Sequence, residues 1–418
     1  MQPRSPWTLT VTIAALASLL PLAGCGLSEE DRAQLDTMGP LTLEIVPEAP
    51  TNAWADDADA ALLGQALFFD ARMSADGTVS CASCHDPANN FADPKPVSEG
   101  VEGRTGARHA PTLVNLAFQD FYFWDGRTDS LWSTPLQAIE AEAEADFSRA
   151  EVVHLLTDRY RGPYEAVFGP LPDVSELPQR ARPGLATWDG LSVAQQDEVN
   201  RVFSNVGKAL EAYQRKLVCA DSRFDRIMAG DGEFTPEEEE GARQFVRSDE
   251  GNCTACHGGI NLTDSGFHRL PLPGLTGFPD EGRSVGIAKL LDNPFNGAGD
   301  FSDDTGAGAE LLGAVRADDS ARGRFKTPTL RGVAQRRTFG HLGNVATLDT
   351  WLDDVYLRGR GGRRGGNNGG FDAELNGIRF NRRSMVAFLR TFNCAPLPEE
   401  LLGPPASLPG VGDTVAER

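Results

Sequence analysis

An amphipathic pattern marks residues 200–218, "NRVFSNVGKALEAYQRKLV". Its apolar residues recur near helical spacing: Val202, Phe203, Val206, Leu210 and Tyr213. Alternating β-branched runs, which would indicate half-buried strands, are absent, while Gly, Pro, Asp and Asn are frequent. The pattern therefore predicts a mainly α, loop-rich fold, and we expect this helix to open its second half.

The N-terminus carries a separate apolar pattern. Arg4 is followed by an apolar run and then by Leu22-Ala23-Gly24-Cys25. This arrangement is typical of a secretory signal peptide. The "LAGC" ending resembles the lipobox of bacterial lipoproteins, whose cleavage would leave Cys25 as a lipidated N-terminus. An ordinary signal peptide with an incidental cysteine is the alternative. We expect a protein on the periplasmic side, held at the membrane only by this lipid.

Four of the seven cysteines lie in two identical motifs, "CASCH" (Cys81, Cys84, His85) and "CTACH" (Cys253, Cys256, His257). C-x-x-C-H is the attachment signature of c-type haem. The two thiols lie one helical turn apart and can bond one edge of a haem, and the histidine can then bind its iron. C-x-x-C is also a zinc half-site, but the two motifs are far apart and each has an adjacent histidine. The sequence predicts two covalently bound c-type haems.

Two further cysteines, Cys219 and Cys394, each end an apparent helix. An even number of remaining cysteines in an oxidising compartment favours a disulfide. Two buried free thiols are the alternative.

The surroundings of the two haem motifs are similar. Gly64 stands four residues before Phe68, as Gly241 does before Phe245, and "APTLVN" is echoed by "TPTLRG" further along. We therefore expect two cytochrome c-like haem domains, separated by a Pro-rich stretch. The expected segments are a signal peptide (1–24), a tether (25–50), an N-terminal haem domain (51–199), a C-terminal haem domain (200–395) and a tail (396–418).

The chain is strongly acidic, with a net charge of −21. Such a surface does not neutralise nucleic-acid phosphates, and it attracts a basic protein partner. The run "RGRGGRRGGNNGG" (358–370) has an RNA-binding composition, but in an exported acidic protein it is better interpreted as a solvated loop that contacts haem propionates.

The acidic stretch "EAEAEADF" contains Glu140, Glu142 and Glu144. Charge runs of this kind are usually solvated helix faces. The functional alternative is that one carboxylate lies in a pocket and moves protons.

Five stretches resemble the bacterial diheme cytochrome c peroxidase family, which includes the MauG-type enzymes. They span roughly residues 60 to 390: "LGQALFFDARMSADGTVSCASCHDP", "FADPKPVSEGVEGRTGARHAPTLVN", "FWDGRTDSL", "CTACHGG" and "RFKTPTLRGVAQRRTFGHLGNVATL". The resemblance implies that His85 binds the iron of a peroxidatic haem and His257 that of an electron-transfer haem. It also implies that Trp124 lies between the haems and assists electron transfer.

Family members often carry a glutamine ten residues after this tryptophan and a catalytic glutamate ten residues later. Those positions are Thr134 and Glu144 here, so the first departs from the pattern and the second fits it. A shifted register would move the catalytic role to Glu142 or Glu140.

The family ligates the second iron with Met or Tyr about fourteen residues after a histidine. Counting from His341 reaches Val355, which cannot bind iron, whereas a shift of one residue reaches Tyr356. We expect Tyr356 to be this ligand; the alternative is a structural tyrosine. Met385 is interpreted as helix core.

His109 stands where the family has an asparagine that binds calcium, and Arg336 and Thr338 fall near another part of that site. These residues make calcium doubtful. The loop before His109 also lacks the histidine with which some peroxidases close the first haem, so we expect that haem to be open in every redox state.

Three functions are compatible with the sequence. The first is reduction of hydrogen peroxide with electrons from a small cytochrome c or cupredoxin. The second is MauG-like oxidation of residues on a partner protein, and the third is electron transfer without catalysis. The sequence leaves homodimer formation open.

Overall fold

A computed structural model describes residues 26–270, 280–357, 372, 375 and 377–410. The predicted signal peptide, Cys25 and the Arg/Gly run at 358–370 lie outside these residues. The prediction of a mainly α fold is confirmed. No helix in the described ranges is long and apolar enough to cross a membrane.

Short turns and irregular segments connect the helices. The α-helices are α1 (Glu29–Asp36), α2 (Ala58–Phe69), α3 (Cys81–Cys84), α4 (Thr134–Glu140), α5 (Arg149–Leu155), α6 (Arg161–Phe168), α7 (Ala186–Asp189), α8 (Val193–Gln214), α9 (Arg223–Met228), α10 (Pro236–Val246), α11 (Arg283–Leu291), α12 (Thr305–Gly313), α13 (Leu348–Trp351) and α14 (Arg382–Arg390). Two segments are π-helical, Leu156–Tyr160 and Leu352–Leu357. Strands β1 (Phe267–His268) and β2 (Phe325–Lys326) pair antiparallel.

Two helix pairs organise the two cores, and they repeat one arrangement. In the first pair, Gly64 of α2 lies so close to α8 that a Cβ there would be 1.9 Å from the carbonyl oxygen of Ala209. In the second pair, a Cβ on Gly241 of α10 would be 2.1 Å from the carbonyl oxygen of Ser384 on α14. Only glycine permits this approach. The similarity seen in the sequence therefore extends to helix packing.

Cys219 and Cys394 form a disulfide, with their Cα atoms 4.9 Å apart. Cys219 follows α8 and Cys394 follows α14. The bond therefore joins equivalent ends of the two helix pairs, and the predicted disulfide is confirmed.

Helix α8 covers most of the segment at 200–218 and belongs to the first core. Its apolar side chains pack with those of α2, among them Val202, Phe203 and Val206. The segment forms the expected helix. It does not open the second half, because its apolar face is buried against α2, the helix that precedes the first motif. The expected boundary at residue 200 falls inside α8, and we propose a boundary after it, near Cys219.

The segment at 25–50 was expected to be a tether, but part of it is folded. Leu35 of α1 and Met38 are buried in the second core. The Asp31 carboxylate lies 2.7 Å from the guanidinium of Arg247 on the second core. Few apolar residues anchor this segment, which is why its polar composition resembles a tether.

The segment from residue 396 was expected to be a tail, and its described part packs on the first core. Leu397, Leu401 and Leu408 contact that core. The Tyr213 hydroxyl donates to the Leu401 carbonyl oxygen over 2.6 Å. Both ends of the described chain therefore fold onto the half that is distant from them in sequence.

Candidate active site

The first C-x-x-C-H motif forms α3, with His85 as its C-cap residue. Its two cysteines are free and half-buried. His85 Nδ1 lies 3.2 Å from the carbonyl oxygen of Phe91 and 3.1 Å from that of Pro111. These carbonyls favour the proton on Nδ1 and leave the lone pair of Nε2 available to a metal. Burial lowers the pKa of His85 to about 4, so the imidazole is neutral.

The second motif repeats this arrangement on the short 3₁₀ turn Cys253–Ala255. His257 Nδ1 lies 3.2 Å from the carbonyl oxygen of Leu262. Burial lowers the pKa of His257 to about 4. Each motif therefore offers two neighbouring thiols and a neutral imidazole with a free Nε2, which fits a c-type haem.

The zinc alternative can be tested at Cys256, whose sulfur lies within 4.8 Å of ligand atoms of Asp264 and His268. His268 Nε2 lies 2.7 Å from Asp264, and Nδ1 lies 2.6 Å from Asp372. The bond to Asp264 is the main reason that the pKa of His268 is raised to about 11. A doubly protonated ring has no lone pair for zinc. Cys256 is therefore better suited to haem attachment.

Trp124 lies where the two halves of the chain meet. Its Nε1–H donates to the His109 carbonyl oxygen over 2.9 Å, and its ring meets that of His341 edge-on with centroids 6.3 Å apart. His341 stacks on Phe325 with centroids 3.8 Å apart. Aromatic rings from both halves are thus in contact at the position expected for a relay.

The backbone repeats one contact across this interface. The His109 N–H donates to the His341 carbonyl over 2.9 Å, and the Lys326 N–H donates to the Trp124 carbonyl over 2.8 Å. His109 precedes "APTLVN" and Lys326 precedes "TPTLRG". The two hydrogen bonds therefore join equivalent positions, and Trp124 and His341 are counterparts in the two halves.

Glu144 lies in the turn after α4 and is half-buried. Burial is the main cause of the raised pKa values of Cys81 and Cys84, and the charge of Glu144 contributes to both. The Glu144 carboxylate therefore lies within electrostatic range of α3. Burial also raises the pKa of Glu144, and the positive charge of Arg127 opposes that rise. A buried carboxyl group with a raised pKa is suited to acid–base chemistry.

The other two glutamates of the acidic run are engaged in ion pairs. Glu140 Oε2 lies 2.6 Å from Arg149. Glu142 is exposed and lies 3.0 Å from Arg182. Both are therefore structural or solvated, whereas Glu144 lies within electrostatic range of the cysteines of the first motif.

Thr134, at the position where the family often has glutamine, is bonded within its own turn. Its Oγ1 lies 2.8 Å from Thr128 Oγ1 and 3.0 Å from the Ser130 carbonyl oxygen. One turn later, Gln137 Oε1 accepts a hydrogen bond from Arg127 Nε over 2.8 Å. Counting along the sequence missed Gln137, although its spacing of three residues from Thr134 places it on the same helix face.

A π-helical turn, Leu352–Leu357, contains the expected ligand of the second iron, Tyr356. A π turn accommodates one extra residue and often occurs at functional sites. Val355 is 1 % exposed, and the partly buried Tyr356 packs against the second core. Burial, followed by the charges of the thiols of the second motif, raises the pKa of Tyr356, so its hydroxyl lies near that motif. Met385 is buried in the second core, as expected.

Several known proteins are similar to this chain. Residues 58–233 match the model of the di-haem cytochrome c peroxidase family. The methylamine utilization protein MauG of Paracoccus denitrificans is 31 % identical over 352 residues, 76 % of this chain and 79 % of that protein. The cytochrome-c peroxidase IdrP2 of Denitromonas iodatirespirans is 29 % identical over 92 % of each chain.

A solved structure shows the same fold. The diheme peroxidase BthA of Burkholderia thailandensis superposes with a TM-score of 0.60 at 21 % identity, covering 89 % of this chain and 94 % of that one. Together with two attachment motifs in equivalent surroundings, these matches establish the relationship. The chain belongs to the di-haem cytochrome c peroxidase family.

Proposed function

We propose that this protein reduces hydrogen peroxide to water with electrons from a small redox protein. The observation that carries the proposal is the carboxyl group of Glu144, which has a raised pKa and lies beside the first attachment motif. Such a group is needed by a peroxidase and is not needed by an electron carrier.

In this proposal the cysteines of the two motifs attach two haems, and His85, His257 and Tyr356 are iron ligands. When bound, the haem at the first motif supplies an iron for peroxide, and the haem at the second stores an electron. His109 does not close the first site, because its Nδ1 lies 3.2 Å from the Lys95 carbonyl and its Nε2 lies 3.0 Å from Thr338 Oγ1.

Glu144 moves the proton that O–O cleavage requires. Its carboxylate accepts the proton of one peroxide oxygen and returns it to the other, which leaves as water. The raised pKa favours the protonated form of this carboxyl group relative to an exposed glutamate. Arg127, oriented by Gln137, stabilises the ionised state of this carboxyl group.

Electrons reach the first site across the interface that contains Trp124. The ring lies against His341 from the second half, and its indole N–H is fixed on the His109 carbonyl. A basic cytochrome c or cupredoxin is the proposed donor, attracted by the net charge of −21. Lipidation of Cys25 would hold the protein on the periplasmic side.

The backbone of Glu144 is held by the loop that contains Gly100. The Val101 N–H donates to the Glu144 carbonyl over 2.9 Å, and a Cβ on Gly100 would be 2.3 Å from the Ala143 carbonyl oxygen. We predict that Gly100→Ala displaces Glu144 and lowers the rate of peroxide consumption by about 10²-fold. Gly106→Ala is the matched control, because its Cβ would meet nothing closer than 3.8 Å. Equal rates for the two variants would contradict this positioning role.

The function is tested by adding hydrogen peroxide to the purified diferric protein and then offering reduced cytochrome c. Rapid peroxide consumption with cytochrome oxidation supports the proposal.

A MauG-like activity is the second candidate, favoured by the position of Tyr356 near the second motif. A long-lived oxidised state that does not react with the cytochrome would support that candidate. The absence of any spectral response to peroxide would exclude both and leave an electron carrier.

A further inference from the structure

Two cationic side chains, Lys326 and Arg336, lie at the contact between the two halves. Lys326 is 9 % exposed, and its Nζ donates to Gln119 Oε1. Arg336 Nη2 donates to the carbonyl oxygens of Thr329 (3.0 Å) and Arg331 (2.7 Å). All of these acceptors are uncharged. Burying a cation without a counter-charge is unfavourable.

The pKa values of both side chains are lowered, as expected for cations without a counter-charge. Burial, followed by the charge of Arg336, lowers the pKa of Lys326 to about 7. Burial lowers the pKa of Arg336 to about 10. The Arg336 Nε atom is buried and has no hydrogen-bond partner among the described residues. The two side chains are therefore close enough to repel each other, and one N–H lacks an acceptor.

The calcium site implied by the resemblance does not fit these residues. Calcium requires six to eight oxygen ligands. His109 offers nitrogens instead, and its Nε2 is paired with Thr338 Oγ1 over 3.0 Å. The nearby Asp93 carboxylate is engaged by Ser98 Oγ at 2.6 Å and by the Lys95 N–H at 2.7 Å. The guanidinium of Arg336 adds a positive charge that would repel a metal ion.

We infer that Arg336, assisted by Lys326, replaces the metal ion at this interface and binds the propionate carboxylates of the haems. Propionates are the anions that two bound haems bring to the protein. Arg336 lies near the second motif: it donates to the Thr329 carbonyl oxygen, and Thr329 Oγ1 donates to the Asn261 carbonyl oxygen over 2.6 Å. The residue after Asn261, Leu262, provides the carbonyl oxygen that lies beside His257 Nδ1. The unpartnered Nε–H can donate a hydrogen bond to a carboxylate oxygen, which would neutralise the buried cation.

This inference depends on haem attachment but not on peroxide chemistry, so its tests use metal content and reduction potentials. The holoprotein should contain no stoichiometric calcium after dialysis against calcium and then buffer. Chelation by EGTA should leave both haem spectra and both reduction potentials unchanged. Stoichiometric calcium, or a spectral change on chelation, would overturn the replacement.

The second test substitutes the arginine in the holoprotein. Arg336→Gln should lower the reduction potential of the second haem, because loss of a nearby positive charge favours the oxidised iron. Arg336→Lys should restore most of the shift. Arg337→Gln is the matched control, since Arg337 is exposed and adjacent in sequence. Equal potentials in the Arg336→Gln and Arg337→Gln proteins would contradict propionate binding. If Arg336→Gln does not fold, Arg336→Lys and the calcium measurement still decide the matter.

Discussion

Replacing Glu144 with glutamine is expected to slow peroxide consumption by about 10²–10⁴-fold while both haem absorption spectra are retained. Glutamine keeps the size and polarity of the side chain but cannot accept and return a proton. Spectra are expected to persist because the residues of both attachment motifs are unchanged. Single-turnover mixing with hydrogen peroxide, followed by stopped-flow absorbance, measures the rate directly.

Glu142→Gln is the control for the Glu144 variant. Glu142 has the same surroundings in sequence, but its side chain is exposed and paired with Arg182 over 3.0 Å. Exposed ion pairs contribute at most about 1 kcal/mol, so this variant should retain nearly full activity. Equal losses of activity in Glu142→Gln and Glu144→Gln would show that the acidic stretch acts through its total charge. An active Glu144→Gln protein would remove the acid–base role.

The pKa of Glu144 also predicts how the unmodified protein and the Glu144→Gln variant differ in stability. Burial raises this pKa above its ordinary value, so the folded state binds the proton more tightly than the unfolded state. The associated stabilisation is present at low pH and is lost as the pH rises through the folded-state pKa. Glu144→Gln removes a carboxyl group that is unfavourable when ionised, so the variant should not be less stable at neutral pH. Loss of activity would then reflect chemistry and not unfolding.

The sequence was sufficient for the parts of the site that depend on local spacing. C-x-x-C-H fixes two thiols and an imidazole on one turn, and the structure places both motifs in equivalent surroundings. Glu144 could be separated from Glu142 only through the count from Trp124, because the alternating run is uniform in composition. Burial and the nearby Arg127 distinguish it in the structure.

The sequence did not predict the features of the fold that depend on packing between distant segments. The helix at 200–218 has an apolar face, but periodicity does not show that this face packs on α2. Residues near Leu35 and Leu401 have too few apolar neighbours in sequence to predict that each folds onto a distant half. Gln137 was missed for a related reason, since its bond to Arg127 depends on how α4 faces the preceding loop.

The proposed iron ligand of the second haem, Tyr356, provides the other large expected effect. Tyr356→Phe should convert the second haem to a state without a protein oxygen ligand, seen as a high-spin ferric signal by absorption and EPR spectroscopy. The reduction potential of that haem should rise, because an anionic phenolate favours the ferric ion. Tyr356 lies inside the π turn Leu352–Leu357, and a local π turn would account for the proposed one-residue shift from Val355 to Tyr356.

Tyr164→Phe is the matched control for this substitution. Tyr164 is buried in the first core and accepts a hydrogen bond from Asn205 over 2.8 Å. Its replacement should lower the free energy of unfolding by about 1 kcal/mol and leave both haem spectra unchanged. An unchanged spectrum in Tyr356→Phe would show that water or another group occupies the iron. In that case the π turn positions a core tyrosine, and the MauG-like alternative loses the observation that favours it.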